Sequence, residues 1–410
     1  MRTHVLLSLS LLGLTLACRE DAESPTEPAS PPALAATAAA LVFAQVSAGS
    51  THTCGVTSDN RLFCWGANYA GQLGDGTTTK RFAPVPVGGA LRFRQVGAGY
   101  ASTCGIATDY RAYCWGSNEW GQVGDGTRNP HLTPVAVTGG HLFRQIQISW
   151  VQTCAVTYSG DRAFCWGTNT SGQLGIGNNT GPEMLVASDG RHFSYSTRPV
   201  AVLGGLTFRH VTSGVTHTCG VTTDNRVFCW GANRYGQVGD SSAGWFKFKP
   251  VRVAGNRQYR QVDAGQDYTC AVTTGNRAFC WGHGQFGVLG TGSESSSRYP
   301  KPVSGGLSFE RISATDGGAR TCAETTANRA YCWGQNNGTL GDGTTTSRLT
   351  PVAVVGGLSF RQVSAGGTHV CGHTPEGRAY CWGFNLDGQL GIGNTSIVVS
   401  PTPVPVAGPM

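Results

Sequence analysis

Charge is scarce in this sequence: Asp, Glu, Lys and Arg make up 13% of 410 residues, and the formal net charge is only +7. Lysine and arginine never gather into a block of the kind that tracks phosphates, which argues against nucleic acid as a partner. No stretch beyond residue 20 keeps an apolar period of 3.6 residues for long, so helices are not the building material. C-x-x-C never occurs among the 15 cysteines, and a zinc ribbon is a poor fit. No Ser, His and Asp set and no carboxylate pair recurs at a spacing that brings the groups together. The expectation is a protein that is not an enzyme and holds neither cofactor nor metal.

What is abundant is glycine, 60 residues of it, and a motif that returns seven times. Each copy places a cysteine upstream of Cys-Trp-Gly, first at Cys54 and Cys64-Trp65-Gly66 and last at Cys371 and Cys381-Trp382-Gly383. The remaining tryptophans of the motif are Trp115, Trp166, Trp230, Trp281 and Trp333. A period near 50 residues is the mark of a repeat architecture, so one closed array can use a chain whose length alone suggests two or three domains. Short β-branched and aromatic runs between turn clusters read as strands.

The two cysteines of a copy flank a turn such as Thr57-Ser58-Asp59-Asn60-Arg61, so in an antiparallel hairpin they stand opposite each other within bridging reach. The expected disulfides are Cys54–Cys64, Cys104–Cys114, Cys154–Cys165, Cys219–Cys229, Cys270–Cys280, Cys322–Cys332 and Cys371–Cys381, each worth about 2 to 3 kcal/mol in the chain-entropy model. The third pair has one extra residue, and a longer turn or a bulge around Ser159-Gly160-Asp161 is expected to restore the register.

Residues 84–126 show one unit. Pro84-Val85-Pro86-Val87 is a strand with edge-type prolines, Gly88-Gly89 turns the chain, Leu91 to Val96 alternates as a second strand, and the cysteine hairpin supplies two more. Cys104 and Ile106 face one side of that hairpin while Tyr113 and Trp115 face the other, so the sheet must be covered twice. Stacking seven four-stranded sheets around an axis does this, which gives an all-β, seven-bladed propeller over residues 41–410. The first unit lacks a Pro-Val strand and the chain ends in Pro403-Val404-Pro405-Val406. Pairing this last strand into the first blade is therefore the expected closure.

Ahead of the propeller, residues 1–18 carry Arg2, an apolar run from Val5 to Leu16, and Ala17-Cys18, the pattern of a bacterial export signal. Leu14-Thr15-Leu16-Ala17-Cys18 resembles a lipoprotein processing site, and Cys18 is the one cysteine outside the seven pairs, so it is the expected lipidation point. Residues 19–40, rich in proline and alanine, read as a tether. Membrane contact is expected only through that anchor, at the bacterial cell envelope or after secretion.

After each Cys-Trp-Gly comes a segment such as Gly66-Ala67-Asn68-Tyr69-Ala70-Gly71-Gln72-Leu73-Gly74-Asp75-Gly76. With the turn at Val46-Ser47-Ala48-Gly49 it resembles the repeat of the regulator of chromosome condensation family over about residues 41–406; the fifth and sixth copies depart at Gly287-Val288-Leu289-Gly290 and Gly338-Thr339-Leu340-Gly341. The resemblance implies a seven-bladed propeller, here in a secreted bacterial member. Members of the family include a nuclear exchange factor for a small GTPase and a secreted bacterial β-lactamase inhibitor that binds through propeller loops, so fold alone does not choose a function. The export signal favours a non-catalytic, monomeric propeller that binds a protein or surface glycan through its loops. The alternatives are an exchange-factor-like regulator and a propeller hydrolase or lyase with an axial active site.

Recognition lives where a rigid frame carries variable loops. Four residues before the first cysteine of each pair stand Ser50, Tyr100, Trp150, Val215, Gln266, Gly318 and Gly367, and Trp120 and Tyr235 precede the loop glycine in their copies. Tyr100, Trp150, Trp120 and Tyr235 are the expected anchors. An insertion at about 183–198, carrying Asp189, Arg191, His192, Phe193 and Tyr195, is expected to protrude from the third blade, with Phe193 and Tyr195 as further candidates. Arginines three residues before each Cys-Trp-Gly, from Arg61 to Arg378, read as turn scaffolding ahead of a ring for an acidic ligand, and His52 and His369 read as structural ahead of metal-sharing.

Overall fold

The computed structural model describes residues 41–186, 190–315 and 317–409. The export signal, Cys18, the tether of residues 19–40 and Asp189 lie outside the described residues. Seven antiparallel sheets follow one another along the chain at 43–86, 93–136, 143–201, 208–252, 259–302, 309–353 and 362–405. They form the blades of the expected all-β propeller. In blade 1 the strands Phe43–Ala48, His52–Thr57, Leu62–Gly66 and Arg81–Pro86 pair in chain order. The first strand of each blade is innermost: Gln45, Gln95, Gln145, His210, Gln261, Arg311 and Gln362 line one axial cavity.

The closure differs from the expected one. Val399–Pro405 pairs with Ala379–Phe384 of its own blade, Val404 opposite Cys381, and Arg81–Pro86 completes blade 1. The long loop 67–80 returns the chain beside Leu62–Gly66, so the Pro-Val strand joins the hairpin before it and not the one after. Its prolines then sit on the outermost strand, where missing N–H groups cost nothing. Gly88-Gly89 lies on the crossing to the next blade and is not a hairpin turn.

The cysteine hairpins are as expected. Cys54 stands opposite Cys64 in register, and in all seven disulfides the Cα atoms are 4.1 Å apart. The extra residue of the third copy is taken up in the turn, where Gly160 (φ 77°) and Asp161 (φ 52°) both adopt left-handed backbone while Cys154 stays opposite Cys165. The insertion forms a hairpin of Glu183–Val186 against His192–Ala201, adding a fifth strand to the third sheet. Thr197 pins it by donating its N–H (3.1 Å) and its hydroxyl (2.7 Å) to the Glu183 carboxylate.

Two-faced burial makes the ring. The cysteine side of blade 1 (Cys54, Val56, Leu62, Cys64) packs with Phe93 and Trp115 of blade 2 around Leu73. Seven such cores exist, and the one between blades 7 and 1 joins Cys371, Ala379, Cys381 and Leu390 to Phe43, Phe63 and Trp65. The circle therefore closes by the same packing that joins every other neighbouring pair, with no shared strand.

Six of the seven cores are crossed by a buried hydrogen-bond junction. The carbonyl of Gln72 in the blade 1 loop accepts from Trp115 Nε1 (2.9 Å) and from the Thr103 hydroxyl (2.7 Å), both of blade 2. The pattern repeats at Gln122, Gln173, Gln237 and Val288, and across the closure at Gln389, which receives Trp65 Nε1 (3.0 Å) and Thr53 (2.9 Å). The loop glycine must lie flat against the indole: a Cβ on Gly74 would come 2.6 Å from Trp115 Nε1. Between blades 6 and 7 the junction is missing. Val370 replaces the threonine, and the buried Trp382 Nε1 and Thr339 Oγ1 have no partner.

Removing the hydroxyl at a complete junction leaves buried donors unpaired, so Thr103→Val should cost about 1–3 kcal/mol. Val370→Thr supplies the absent donor in nearly the same volume and should raise the denaturation midpoint. Chemical denaturation of the two variants beside the parent checks both directions.

Candidate functional site

Antiparallel order sends two sets of connections to one end of the propeller: the turns between first and second strands, and the long loops between third and fourth. Tyr100 and Trp150 occupy the turn position in blades 2 and 3, and their rings meet with centroids 4.8 Å apart. Tyr69 of the blade 1 loop joins Tyr100; it is 60% exposed and Tyr100 42%. Leu386 of blade 7 is also exposed, and its loop is tied to blade 1 by Lys80, which reaches Asp387 (3.6 Å). Trp150 leans across the axis, since a Cβ on Gly317 of blade 6 would lie 3.4 Å from its Nε1.

The other candidates sit apart from this cluster. Trp120 packs on Phe193 of the inserted hairpin at 5.3 Å, both half-buried. Tyr195 is only 9% exposed, beneath the Arg128 guanidinium, so its ring serves packing and offers no surface. Tyr235 stacks on His283 at 4.2 Å. The sequence comparison passed over Tyr69, because it stands one place before the position compared across loops, and Trp245, which is 67% exposed in the blade 4 loop. A large aromatic anywhere between Cys-Trp-Gly and the next strand, whatever its exact position, is the signal that would have found both.

The axial cavity, about 200 Å3, is polar, and its groups are engaged in holding neighbours together. The Gln45 amide donates to Val96 O (2.9 Å) and accepts from Val96 N (3.0 Å), and Gln95, Gln145 and Gln261 do the same one blade on. Where blade 6 has Arg311 instead, the buried Glu324 carboxylate accepts the Val363 N–H. Asp263, raised to about 6 by burial, accepts from Thr212 Oγ1 (2.6 Å) and Ala314 N (2.9 Å), the service that Ser47 renders to Ala98 N. Among the described residues no three His, Cys, Asp or Glu gather as a metal site would require.

Most of the residues two places before a first cysteine bridge the junctions, Ser102 and Arg320 being exceptions. Thr103 spends its one proton on Gln72 O, so His52 Nε2, 2.9 Å away, must be the donor to the threonine oxygen. His217 reaches Thr269 (2.8 Å) and His369 reaches Thr53 (2.6 Å) in the same way, and in blade 3 the Gln152 amide donates to Thr218 (2.7 Å). His52 and His369 therefore serve different threonines and share no ligand. Arg320, facing Val370, donates instead to the carbonyls of Gly366 (2.7 Å) and Gly367 (3.1 Å).

The ordered arginines and aspartates stabilise turns. Arg61 pairs with Asp59 at 2.6 Å, Arg111 with Asp109 at 3.7 Å, and Arg226 with Asp224. In the loops Asp75 accepts from its own Thr77 N–H (3.0 Å) and meets Arg81 (2.7 Å), while Asp125, Asp240 and Asp342 meet His131, Lys247 and Arg348.

Seven consecutive segments, 59–106, 110–156, 161–221, 224–272, 276–323, 328–372 and 376–410, match the regulator of chromosome condensation (RCC1) repeat. A second profile of that repeat matches 43–72, 208–237, 259–288 and 360–389. The chain belongs to the RCC1-repeat family. Over 257 residues it is 29% identical to the ultraviolet-B receptor UVR8 of Arabidopsis thaliana, covering 61% of this chain and 55% of that protein. To the probable E3 ubiquitin-protein ligase HERC4 of Homo sapiens it is 30% identical over 201 residues, 47% of this chain and 18% of the ligase. This RCC1-repeat chain thus spans about half or less of those relatives. Among solved structures, Prp20p from Saccharomyces cerevisiae superimposes with a TM-score of 0.71 at 18% identity, over 89% of this chain and 87% of that one. Human WBSCR16 gives 0.68 at 20% identity, over 79% and 84%. These last two likenesses show the fold alone.

Burial lowers His52, His217 and His369 from 6.5 to about 3. A depressed folded pKa contributes stability that is complete above the unfolded value near 6.5 and drains away as pH falls toward 3. His217→Gln, which installs the bridge already used by Gln152, should flatten the loss of thermal stability between pH 6.5 and 4. Melting curves across that range give the measurement.

Proposed function

We propose that this RCC1-repeat propeller is an exported, non-catalytic binding protein, anchored through a lipid on Cys18, that captures a protein partner on the loop face carrying Tyr69, Tyr100 and Trp150. The single observation behind this is that contiguous aromatic cluster, in which Tyr69 and Tyr100 are exposed and Trp150 is half-buried beneath them with its indole N–H out of solvent. Large rings with few torsions lose little entropy on docking, and they dominate the energetics of interfaces. The remainder of that face is held by loops braced internally, so the surface is preorganised. Export rests on the sequence of residues 1–18 together with seven disulfides, which suit an oxidising compartment. Residues 19–40 then serve as the spacer that lifts the propeller from the membrane.

Protein binding is also what the descriptions of one relative, solved twice, record: Prp20p, the yeast RCC1, was studied for its binding to Gsp1p and histones and was solved bound to Kap60. None of these partners is carried over to this chain. The catalytic alternative is less favoured because Gln45, Gln95, Gln145, Gln261 and Asp263 on the axis are engaged in joining innermost strands.

The test is affinity capture from cell-envelope extract on the full chain. Tyr100→Ala with Trp150→Ala should weaken the captured partner by at least about 2 kcal/mol, roughly 30-fold. Arg111→Ala on the opposite face should leave it unchanged. Equal capture by all three proteins would sink the proposal, and unlabelled Cys18 in cells fed a radiolabelled fatty acid would remove the anchor.

A further inference from the structure

Where blades 4, 5 and 6 meet on the loop face there is a cleft of about 390 Å3, the size of small-molecule sites. It exists because blades 5 and 6 break the repeat in several places at once. Six loops carry an asparagine whose side chain braces the loop, as Asn68 does by accepting Leu73 N–H (3.0 Å), but blade 5 has Gly284 there. Five loops carry a glutamine whose Oε1 holds the N–H two residues back, as Gln237 holds Tyr235 (3.0 Å), but blade 5 has Val288. Without that brace Phe286 takes left-handed backbone at φ 59°, a conformation that costs energy for a residue with a large side chain. At the turn position filled by Trp150 in blade 3, blade 6 has Gly318, which brings no side chain over the opening.

The lining combines two chemistries. Tyr235 stacked on His283, with Phe286, provides aromatic surface; Gln266, Gln335 and Asp267 provide planar polar groups. Among the described residues no lysine or arginine lines the cleft, and Arg234, beside the Tyr235 ring at 5.6 Å, is offset by Asp267, which argues against a phosphate or carboxylate ligand. A purely apolar ligand would strand the amides, and an ammonium group would use Asp267 and the rings but leave the amides unanswered. A pyranose answers both at once, since one face of its ring is C–H and its rim is hydroxyls that each donate and accept.

We propose that this cleft is a saccharide-binding site, with Tyr235, His283 and Phe286 as the platform and Gln266, Gln335 and Asp267 as the hydroxyl-reading groups. Its platform and polar groups lie on blades 4 to 6, away from Tyr69 and Tyr100, with only Trp150 approaching its rim at Gly317, and it does not depend on the protein-partner reading.

The full chain is screened on an array of plant and bacterial oligosaccharides, and hits are titrated by saturation-transfer NMR. Saccharide binding should fall at least tenfold in Tyr235→Ala and in Gln335→Ala. Val288→Gln, which restores the brace used by the other loops, should fill the cleft and abolish binding while the melting temperature holds or rises. Tyr69→Ala with Tyr100→Ala, which touches no residue of the lining, should bind saccharide as the parent does. The proposal is overturned if no saccharide on the array is retained, if Val288→Gln binds normally while folded, or if tetramethylammonium competes with the saccharide, which would mark the cleft as a cation cage.

Discussion

One carbonyl per blade organises this propeller. The loop residue before Leu73 and its counterparts presents a backbone oxygen that takes an indole N–H and a threonine hydroxyl from the next blade, in a site from which water is excluded. Such groups cannot be left unpaired without cost, so the spacing between tryptophan, threonine and loop is fixed wherever the junction exists. The loop must therefore come close enough to need glycine at Gly74, and the hairpin must be rigid enough to hold threonine and tryptophan side by side, which the disulfide between the neighbouring positions secures. Sheet, bridge and loop are thus one device repeated around an axis.

With so much of each unit committed to the joint, variation is confined to what the joint does not touch. The turn ahead of the second strand and the outer part of the long loop are those places. Blades 1, 2 and 3 place aromatic rings there, while blade 5 loses both loop braces and blade 6 loses the glutamine brace and has glycine at the turn, so one face carries a raised ridge and a hollow side by side. The opposite face carries arginines, several of them paired with an aspartate of the same turn, and it shows much less departure from the repeat.

Much of the fold was legible. Cysteine spacing gave the disulfides, because opposite residues of a two-stranded hairpin are fixed by the turn between them, and the apolar character of both faces required a stacked ring. The closure was misread because the sequence repeat runs from one hairpin turn to the next and so straddles two blades, as the matched segment 59–106 does. Nothing in Pro84-Val85-Pro86 says whether its neighbour lies before or behind it in the chain. The bridging role of His52, Gln152 and His217 was invisible for a related reason: each partner is 51, 66 or 52 residues away, on another sheet. The aromatic positions were visible one by one, but the meeting of Tyr100 with Trp150 across blades, and the burial of Tyr195, needed the packing. The cleft was harder still, since it arises from several substitutions scattered over three blades that matter only together.

The absent clamp and the absent peptide link fall in different places. Blades 7 and 1 are not consecutive in the chain, yet theirs is a fully bonded joint in which Gln389, Trp65, Thr53 and His369 all take part. Blades 6 and 7 lack the buried clamp, but the polypeptide itself runs from one to the other. A circle fastened this way has no position where both kinds of attachment fail together, so a thermal fluctuation that parts one seam is always opposed by the other kind of tether, and the molecule behaves as a hoop with no latch.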